Sequence, residues 1–297
     1  MGEMAALGTS LLWSLTSIQF TLASRLAGAQ AVNRVRLVLA VLFLSLIHWF
    51  LHGEVWPLDA EPFRWGWLGL SGVVGLVVGD TCLFQSFILI GPRRAMLLMT
   101  LAPVISTVVA WGWLGQVLLP AELAAILVTV GGIAWVVSER RQGNGTADAP
   151  ARDYLVGVLL GVGGALGQAL GLVLAKQGLA DDYASLSATL IRMLVATAAI
   201  WLLALPQKQV AATGQVLRER RTMVLITGGA LTGPTLGVWL SMVAIQYAPV
   251  GIASTLMALS PVILIPLERW LFDERVSARA VVGTAIALAG AAALFMI

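Results

Sequence analysis

Apolar runs of helix length recur along the whole chain, at residues 4–23, 33–52, 66–89, 95–117, 120–138, 154–175, 184–205, 222–246, 249–272 and 277–297. A helix needs about 20 mostly apolar residues to cross a bilayer, and each run is near that length. Barrel strands would run about ten residues with strict alternation, which these runs lack. The breaks between them carry helix-stop chemistry: Gly53 to Pro62, Gly91-Pro92, Pro120, Asp181-Asp182, Pro206 and Pro249. The pattern predicts an all-α membrane protein with ten transmembrane helices. The first run has only Glu3 where a signal peptide would carry basic residues, so it is expected to remain as a helix.

The longest hydrophilic stretch, 139–153, contains Gln142-Gly143-Asn144-Gly145 and reads as a flexible linker. It divides the chain into residues 1–138, with five spans, and 154–297, with five more. A shift of 158 residues aligns Ala95, Leu98, Met99, Leu101, Pro103 and Val104 with Ala253, Leu256, Met257, Leu259, Pro261 and Val262. The same shift pairs Gly132 with Gly290, and a nearby one pairs Arg36 and Ala40 with Arg192 and Ala196. Five is an odd number, so the two halves enter the membrane from opposite sides. Inverted repeats of this kind favour alternating access, in which exchanging the halves' conformations moves an opening between the two membrane faces.

Composition narrows the function. Apolar residues make up 59% of the chain and charged residues 11%, against about a quarter charged in soluble domains. A conventional soluble enzyme and a disordered chain are both excluded. The net charge is +3, with 18 basic residues scattered between apolar runs, so no patch suits nucleic acid. The one cysteine, Cys82, forms no internal disulfide, and no ligand cluster for a metal or cofactor is evident. Neither a catalytic triad nor a nucleotide-binding segment can be assembled, so transport would draw on an ion gradient or on the substrate's own. A lipid-modifying membrane enzyme would need an interfacial cluster of reactive groups, and a channel would conduct without saturation.

The repeated Leu-x-Pro-Val motif of spans 4 and 9, with Arg36 and Arg192 near the starts of spans 2 and 7, resembles the EamA family of the drug/metabolite transporter superfamily. The Leu271-Phe272-Asp273-Glu274 turn before the last span is similar as well. The family's Leu-Gly-Glu turn is altered in both halves: Leu114-Gly115-Gln116 lacks the Glu, and Phe272-Asp273-Glu274 lacks the Gly. The resemblance covers nearly the whole chain. It implies a ten-helix transporter of small metabolites, often an exporter, in a bacterial inner membrane.

Several residues are candidates to meet a substrate. Asp80 lies deep in span 3 with no basic residue within a turn of it. It is expected to face protein or a wet cavity, as a proton carrier, an anchor for a cationic group or a structural cap. Trp13 in span 1, Met99 in span 4, Gln168 in span 6, Trp239 and Gln246 in span 8 and Met257 in span 9 form mixed aromatic, thioether and amide stripes suited to amphipathic solutes. In span 8 the stripe is Thr235, Trp239, Met242 and Gln246. Pro103 and Pro261 are expected to break or kink spans 4 and 9, freeing backbone carbonyls. Glycines at four-residue spacing, such as Gly75 and Gly79, Gly163, Gly167 and Gly171, and Gly229, Gly233 and Gly237, put spans 3, 6 and 8 inside the bundle. Arg36, Arg192 and Lys176 are expected to snorkel to the interface, and His48 and His52 to join an interfacial belt beside Trp49.

An even helix count puts both termini on one side. Loops on that side hold only Arg64 and Lys176 as basic residues, whereas the opposite loops include Arg93, Arg94, Arg140, Arg141, Arg220 and Arg221. The charge count therefore places both termini outside the cell, although the family more commonly has them inside.

Overall fold

The computed structural model describes residues 1–114, 119–138, 151–206, 210–248, 253, 256–272, 277–293 and 296. Most of the linker, and parts of the Leu114-Gly115-Gln116 and Phe272-Asp273-Glu274 turns, lie outside these. Among the described residues there are twelve helices and no strand: α1 (Gly2–Ala27), α2 (Ala29–His52), α3 (Pro62–Ile90), α4 (Pro92–Met99), α5 (Leu101–Leu114), α6 (Pro120–Val137), α7 (Ala151–Gly178), α8 (Ser185–Ala204), α9 (Val210–Val216), α10 (Arg220–Tyr247), α11 (Ser260–Phe272) and α12 (Ala278–Ala293). Six of them (α2, α3, α6, α7, α8 and α10) are long and apolar enough to cross a bilayer, and α12 is a shorter apolar helix.

The ends form where the backbone chemistry asks for them. Gly28, Gly53 and Gly91 take φ of 82°, 77° and 82°, a left-handed region that costs other residues a Cβ clash. Each closes a helix by donating its amide to the carbonyl four residues back. Pro62, Pro92 and Pro120 open the next helices at positions where no amide donor is required.

Helix α1 is long, but Ser and Thr residues lower its hydropathy. Those hydroxyls are buried at Thr9, Ser10, Ser14, Thr16, Ser17, Thr21 and Ser24. Several turn back onto their own helix, as Thr9 does to Ala5 O at 2.8 Å and Thr21 to Ser17 O at 2.6 Å. Others reach across it: Ser260 donates to Ser10 O at 3.0 Å, and the Thr16 and Thr232 hydroxyls lie 2.7 Å apart. In lipid there is little hydrophobic drive between helices, so such bonds and close packing hold the bundle.

The packing has a reciprocal order. Helix α1 packs on α10, and α7 packs on α3, so the leading helix of each half lies against the third span of the other. Glycines allow the second contact. A methyl on Gly167 would lie 2.5 Å from Gly79 Cα, and one on Gly171 would lie 3.1 Å from Gly75 Cα.

Three features depart from the expected runs. Span 4 is interrupted: α4 stops at Met99, Thr100 forms a tight turn with its amide on Leu97 O at 3.1 Å, and α5 resumes at Leu101. Ala258 and Leu259 turn at the equivalent place, with the Leu259 amide on Leu256 O at 3.3 Å. In both halves the proline two or three residues later has no amide for the preceding turn, and its ring crowds the carbonyl four residues back. The short helix α9 is a further element, held to α2 by Arg34 Nε donating to Thr213 Oγ1 at 2.9 Å. Finally, α3 and α10 each widen into a π-helical segment, Val73–Gly79 and Leu231–Gly237. The 158-residue shift carries one segment onto the other. Pro234 lies inside the second; the first contains no proline, and side chains of α2 reach its carbonyls instead.

Candidate functional site

Between these helices lies a cavity of about 210 Å³. Its walls come from both halves. Trp13, Phe20, Phe84 and Phe87 supply aromatic surface, Met96, Met99 and Met257 supply thioethers, and Thr16, Ser17 and Gln168 supply hydrogen-bonding groups. Pro103 and Pro261 line it beside the two helix breaks, with Thr100 and Ala258. Three charged side chains reach it: Arg36, Asp80 and Lys176.

The expectation that Asp80 is a lone carboxylate is corrected here. Asp80 forms a salt bridge with Arg36, and their side chains are 16% and 3% exposed. A pair this enclosed is stable only when its remaining donors and acceptors are met. Arg36 Nε donates to Asn33 Oδ1 at 2.8 Å, and Arg36 Nη2 reaches Leu76 O at 3.3 Å. Asn33 donates in turn to Thr81 Oγ1 at 2.8 Å and to Leu76 O at 3.1 Å. The guanidinium also sits over the Phe84 ring, 4.9 Å from its centroid, and 5.7 Å from that of Phe20. Leu76, whose carbonyl the Asn33 and Arg36 side chains both reach, lies within the π-helical segment. Arg36 therefore does not snorkel; it is the buried half of an ion pair on the cavity wall.

Arg192, its counterpart in the second half, is buried as well, at 2% exposure. Its backbone carbonyl fits against Gly72, where a methyl would come within 2.4 Å. Its Nη1 points at Met242 Sδ, 3.5 Å away. Its Nε has no hydrogen-bond partner among the described residues. Arg192 still acts on Asp80 through space by charge attraction. Lys176 alone of the three is exposed, at the rim of the cavity.

The α10 stripe faces elsewhere. Gly233, Pro234, Val238 and Ile245 line the cavity, one residue around the helix from Thr235, Trp239, Met242 and Gln246. Thr235 and Met242 are buried in protein, Trp239 packs against the buried cluster that includes Leu37, Leu76 and Met193, and Gln246 is half-buried near the helix end. His48 is likewise internal. Its Nδ1 donates to the Glu54 carbonyl at 2.6 Å, and its Nε2 lies 3.0 Å from the Ser187 hydroxyl. His52 stacks on its ring at 4.6 Å. Asn33 was missed by the reading of the sequence; an amide three residues before Arg36 within an apolar run was its signal.

Apolar helices long enough to cross a bilayer, packed around an amphipathic, partly charged cavity, have the make-up of an integral membrane protein. Comparison makes the class specific. The model of the EamA-like transporter family matches the chain twice, over residues 1–138 and 155–296. The chain belongs to that family, within the drug/metabolite transporter superfamily, and is a multi-pass integral membrane protein. No curated protein matches it. Among solved structures, one described only as a crystal structure of a protein is similar over 99% of this chain and 96% of its own. Its TM-score is 0.68 and its identity 17%, a likeness of fold alone.

Proposed function

We propose that this protein is a secondary active transporter that exports small amphipathic metabolites, such as amino acids, from the bacterial cell. In this reading it has ten spans arranged as two inverted five-span halves, with spans 4 and 9 each crossing as an interrupted helix. The observation that carries the reading is the make-up of the cavity. Met99, Thr100 and Pro103 line it from one half, and Met257, Ala258 and Pro261 line it from the other at equivalent positions. A site shared by two inverted halves is what alternating access requires, since rocking one half against the other opens it to each face in turn. Interrupted helices at such a site free backbone groups for a solute. Trp13, Met99, Gln168 and Met257 are the proposed contacts, and Asp80 is the carboxylate of the same site, paired with Arg36 when the site is empty. Trp239 and Gln246 would support α10 from behind. The charge distribution supports both termini lying outside the inner membrane.

The test is counterflow. Purified protein is reconstituted into vesicles, loaded in turn with amino acids, purines and sugars, and given the labelled compound outside. The proposal expects saturable uptake driven by the trans-loaded compound for at least one class. Currents without saturation would make the protein a channel, and chemical conversion of an added lipid would make it an enzyme.

A further inference from the structure

We infer that the cavity selects substrates bearing a carboxylate, which takes Asp80's place on Arg36 while Asp80 turns to Arg192. The inference deepens the proposed transport reading and rests on it for the location of the site.

The argument begins with charge. Arg36 and Arg192 are each 2% exposed, and among the described residues that line the cavity Asp80 is the only carboxylate. Two enclosed guanidiniums thus share one anion. A buried cation without a counter-charge is expensive in a protein interior, and more so within a membrane. One further negative charge entering the cavity would make the cluster neutral. Lys176, at the exposed rim of the same cavity, adds attraction of the same sign along the way in.

The second step is geometry. Arg36 lines the cavity and Arg192 does not, so an entering anion meets Arg36 first and finds Asp80 already there. A carboxylate matches the guanidinium's paired donors as Asp80 does, and can displace it. Arg192 is the group prepared to receive the displaced side chain. Among the described residues its buried Nε has no hydrogen-bond partner, its Nη1 has only the weak acceptor Met242 Sδ at 3.5 Å, and its Nη2 lies 3.6 Å from where a methyl on Gly75 would sit, one turn before Asp80 on the same helix. Asp80 opens the helical stretch just after the π-helical segment, while the segment's carbonyls are held by Asn33 and Arg36. The aromatic and thioether walls then accept an apolar substituent. Arg36 is therefore the binding residue, and Arg192 is a positioning residue acting through Asp80.

This arrangement differs in sign from one in which Asp80 anchors an ammonium group. If Asp80 competes with the substrate, removing its charge strengthens carboxylate binding; if it is an anchor, removing its charge weakens binding. The probes are 3-phenylpropionate, phenylalanine and phenethylamine, which carry a carboxylate only, both groups, and an amine only. Binding to the purified full-length protein is followed by thermal shift and by tryptophan fluorescence. The expected result is that both carboxylates bind and phenethylamine binds at least tenfold more weakly. Asp80→Asn should tighten 3-phenylpropionate several-fold, and Arg36→Gln should weaken it tenfold or more. Arg192→Gln should weaken it several-fold in the wild-type background but less than about twofold in the Asp80→Asn background, where no displaced carboxylate needs a partner. A purely structural Arg192 would weaken binding equally in both.

Preferential binding of phenethylamine, weaker carboxylate binding in a folded Asp80→Asn protein, or no carboxylate-dependent binding in the wild-type panel overturns the inference. The wild-type panel keeps the test decisive where a variant does not fold. Counterflow separates the two claims: uptake of solutes without regard to a carboxylate sinks the inference and leaves the transporter reading. Carboxylate-selective binding with no counterflow sinks the transporter reading and leaves the inference.

Discussion

Replacing Gly167 by Ala tests whether α3 and α7 are in direct backbone contact at Gly79. The added methyl would lie 2.5 Å from Gly79 Cα, 3.0 Å from Gly79 N and 3.1 Å from Val74 O. These atoms are backbone, and no rotamer change relieves the overlap. Ordinary contact needs about 3.5 Å or more between carbons, so α3 and α7 must part by about 1 Å. The neighbouring contact of Gly171 with Gly75, at 3.1 Å for a built methyl, would open with it because both helices are stiff. Overpacking of this kind costs about 1–3 kcal/mol, a fall in thermal midpoint of about 2–4 °C for each kcal/mol in a domain of similar size. Gly163→Ala is the control on the same helix. Its methyl would meet only Cys82 Sγ at 3.6 Å and Cβ at 3.7 Å, and Ala is about 0.5–1 kcal/mol better than Gly within a helix. Thermal unfolding of both purified variants in detergent should show Gly167→Ala several degrees below wild type and Gly163→Ala level with it or above. Equal midpoints for the two variants would refute the close-contact argument.

Asn33→Leu removes the amide that caps Leu76 O and holds Thr81. It also leaves the buried Arg36 Nε without its Asn33 Oδ1 acceptor, which should lower stability by about 1–3 kcal/mol, read by thermal unfolding. Thr16→Val and Thr232→Val should show a coupling of about 0.6 kcal/mol in a double-mutant cycle, since their hydroxyls lie 2.7 Å apart between α1 and α10. In a Cys82→Ser background, an impermeant thiol reagent applied to intact cells should label a cysteine at Asp59 and spare one at Asn144. The reverse pattern would place the termini inside.

Much of the bundle was legible because its physics is periodic. Run length fixed α2, α3, α6, α7, α8 and α10 to within a few residues, since a bilayer span and an apolar run share one length scale. Glycine spacing pointed to α3 and α7 as packed helices, and Gly79 does meet Gly167. What failed was extrapolation around the helix. The stripe Thr235, Trp239, Met242 and Gln246 has the helical period of the lining residues Pro234, Val238 and Ile245 but falls one residue away from them, because spacing sets a face's period and not its direction. Asp80 was judged alone because partners were sought along its own helix. Arg36 lies seven residues into α2 from Ala29, and Asp80 ten residues before the end of α3 at Ile90. At 1.5 Å per residue, both sit about 10–15 Å from the ends of neighbouring helices that share a face. Counting depth from a common face would have found the pair.

The two π-helical segments both contribute to the cavity wall, through Leu76 on one side and Gly233 and Pro234 on the other. They occupy equivalent positions, yet their surroundings differ. Around Val73–Gly79 the nearby groups are the Asn33 amide and the Arg36 guanidinium, with Asp80 immediately after. In Leu231–Gly237 the Thr232 hydroxyl bonds Gly228 O at 3.0 Å and pairs with Thr16, and Val238 follows in place of Asp80. The backbone device is thus common to both halves while the carboxylate belongs to one. A widened segment displaces a helix's register without ending it, which lets a carbonyl turn toward a neighbour inside an apolar bundle. In the proposed transport cycle, repeating that device on both sides of the cavity would let each half bend at an equivalent place. Confining the carboxylate to one side gives a bound solute a fixed polar end and a fixed apolar end. Mechanical symmetry with chemical asymmetry is what a carrier needs if it is to turn its opening between membrane faces while holding its cargo in one orientation.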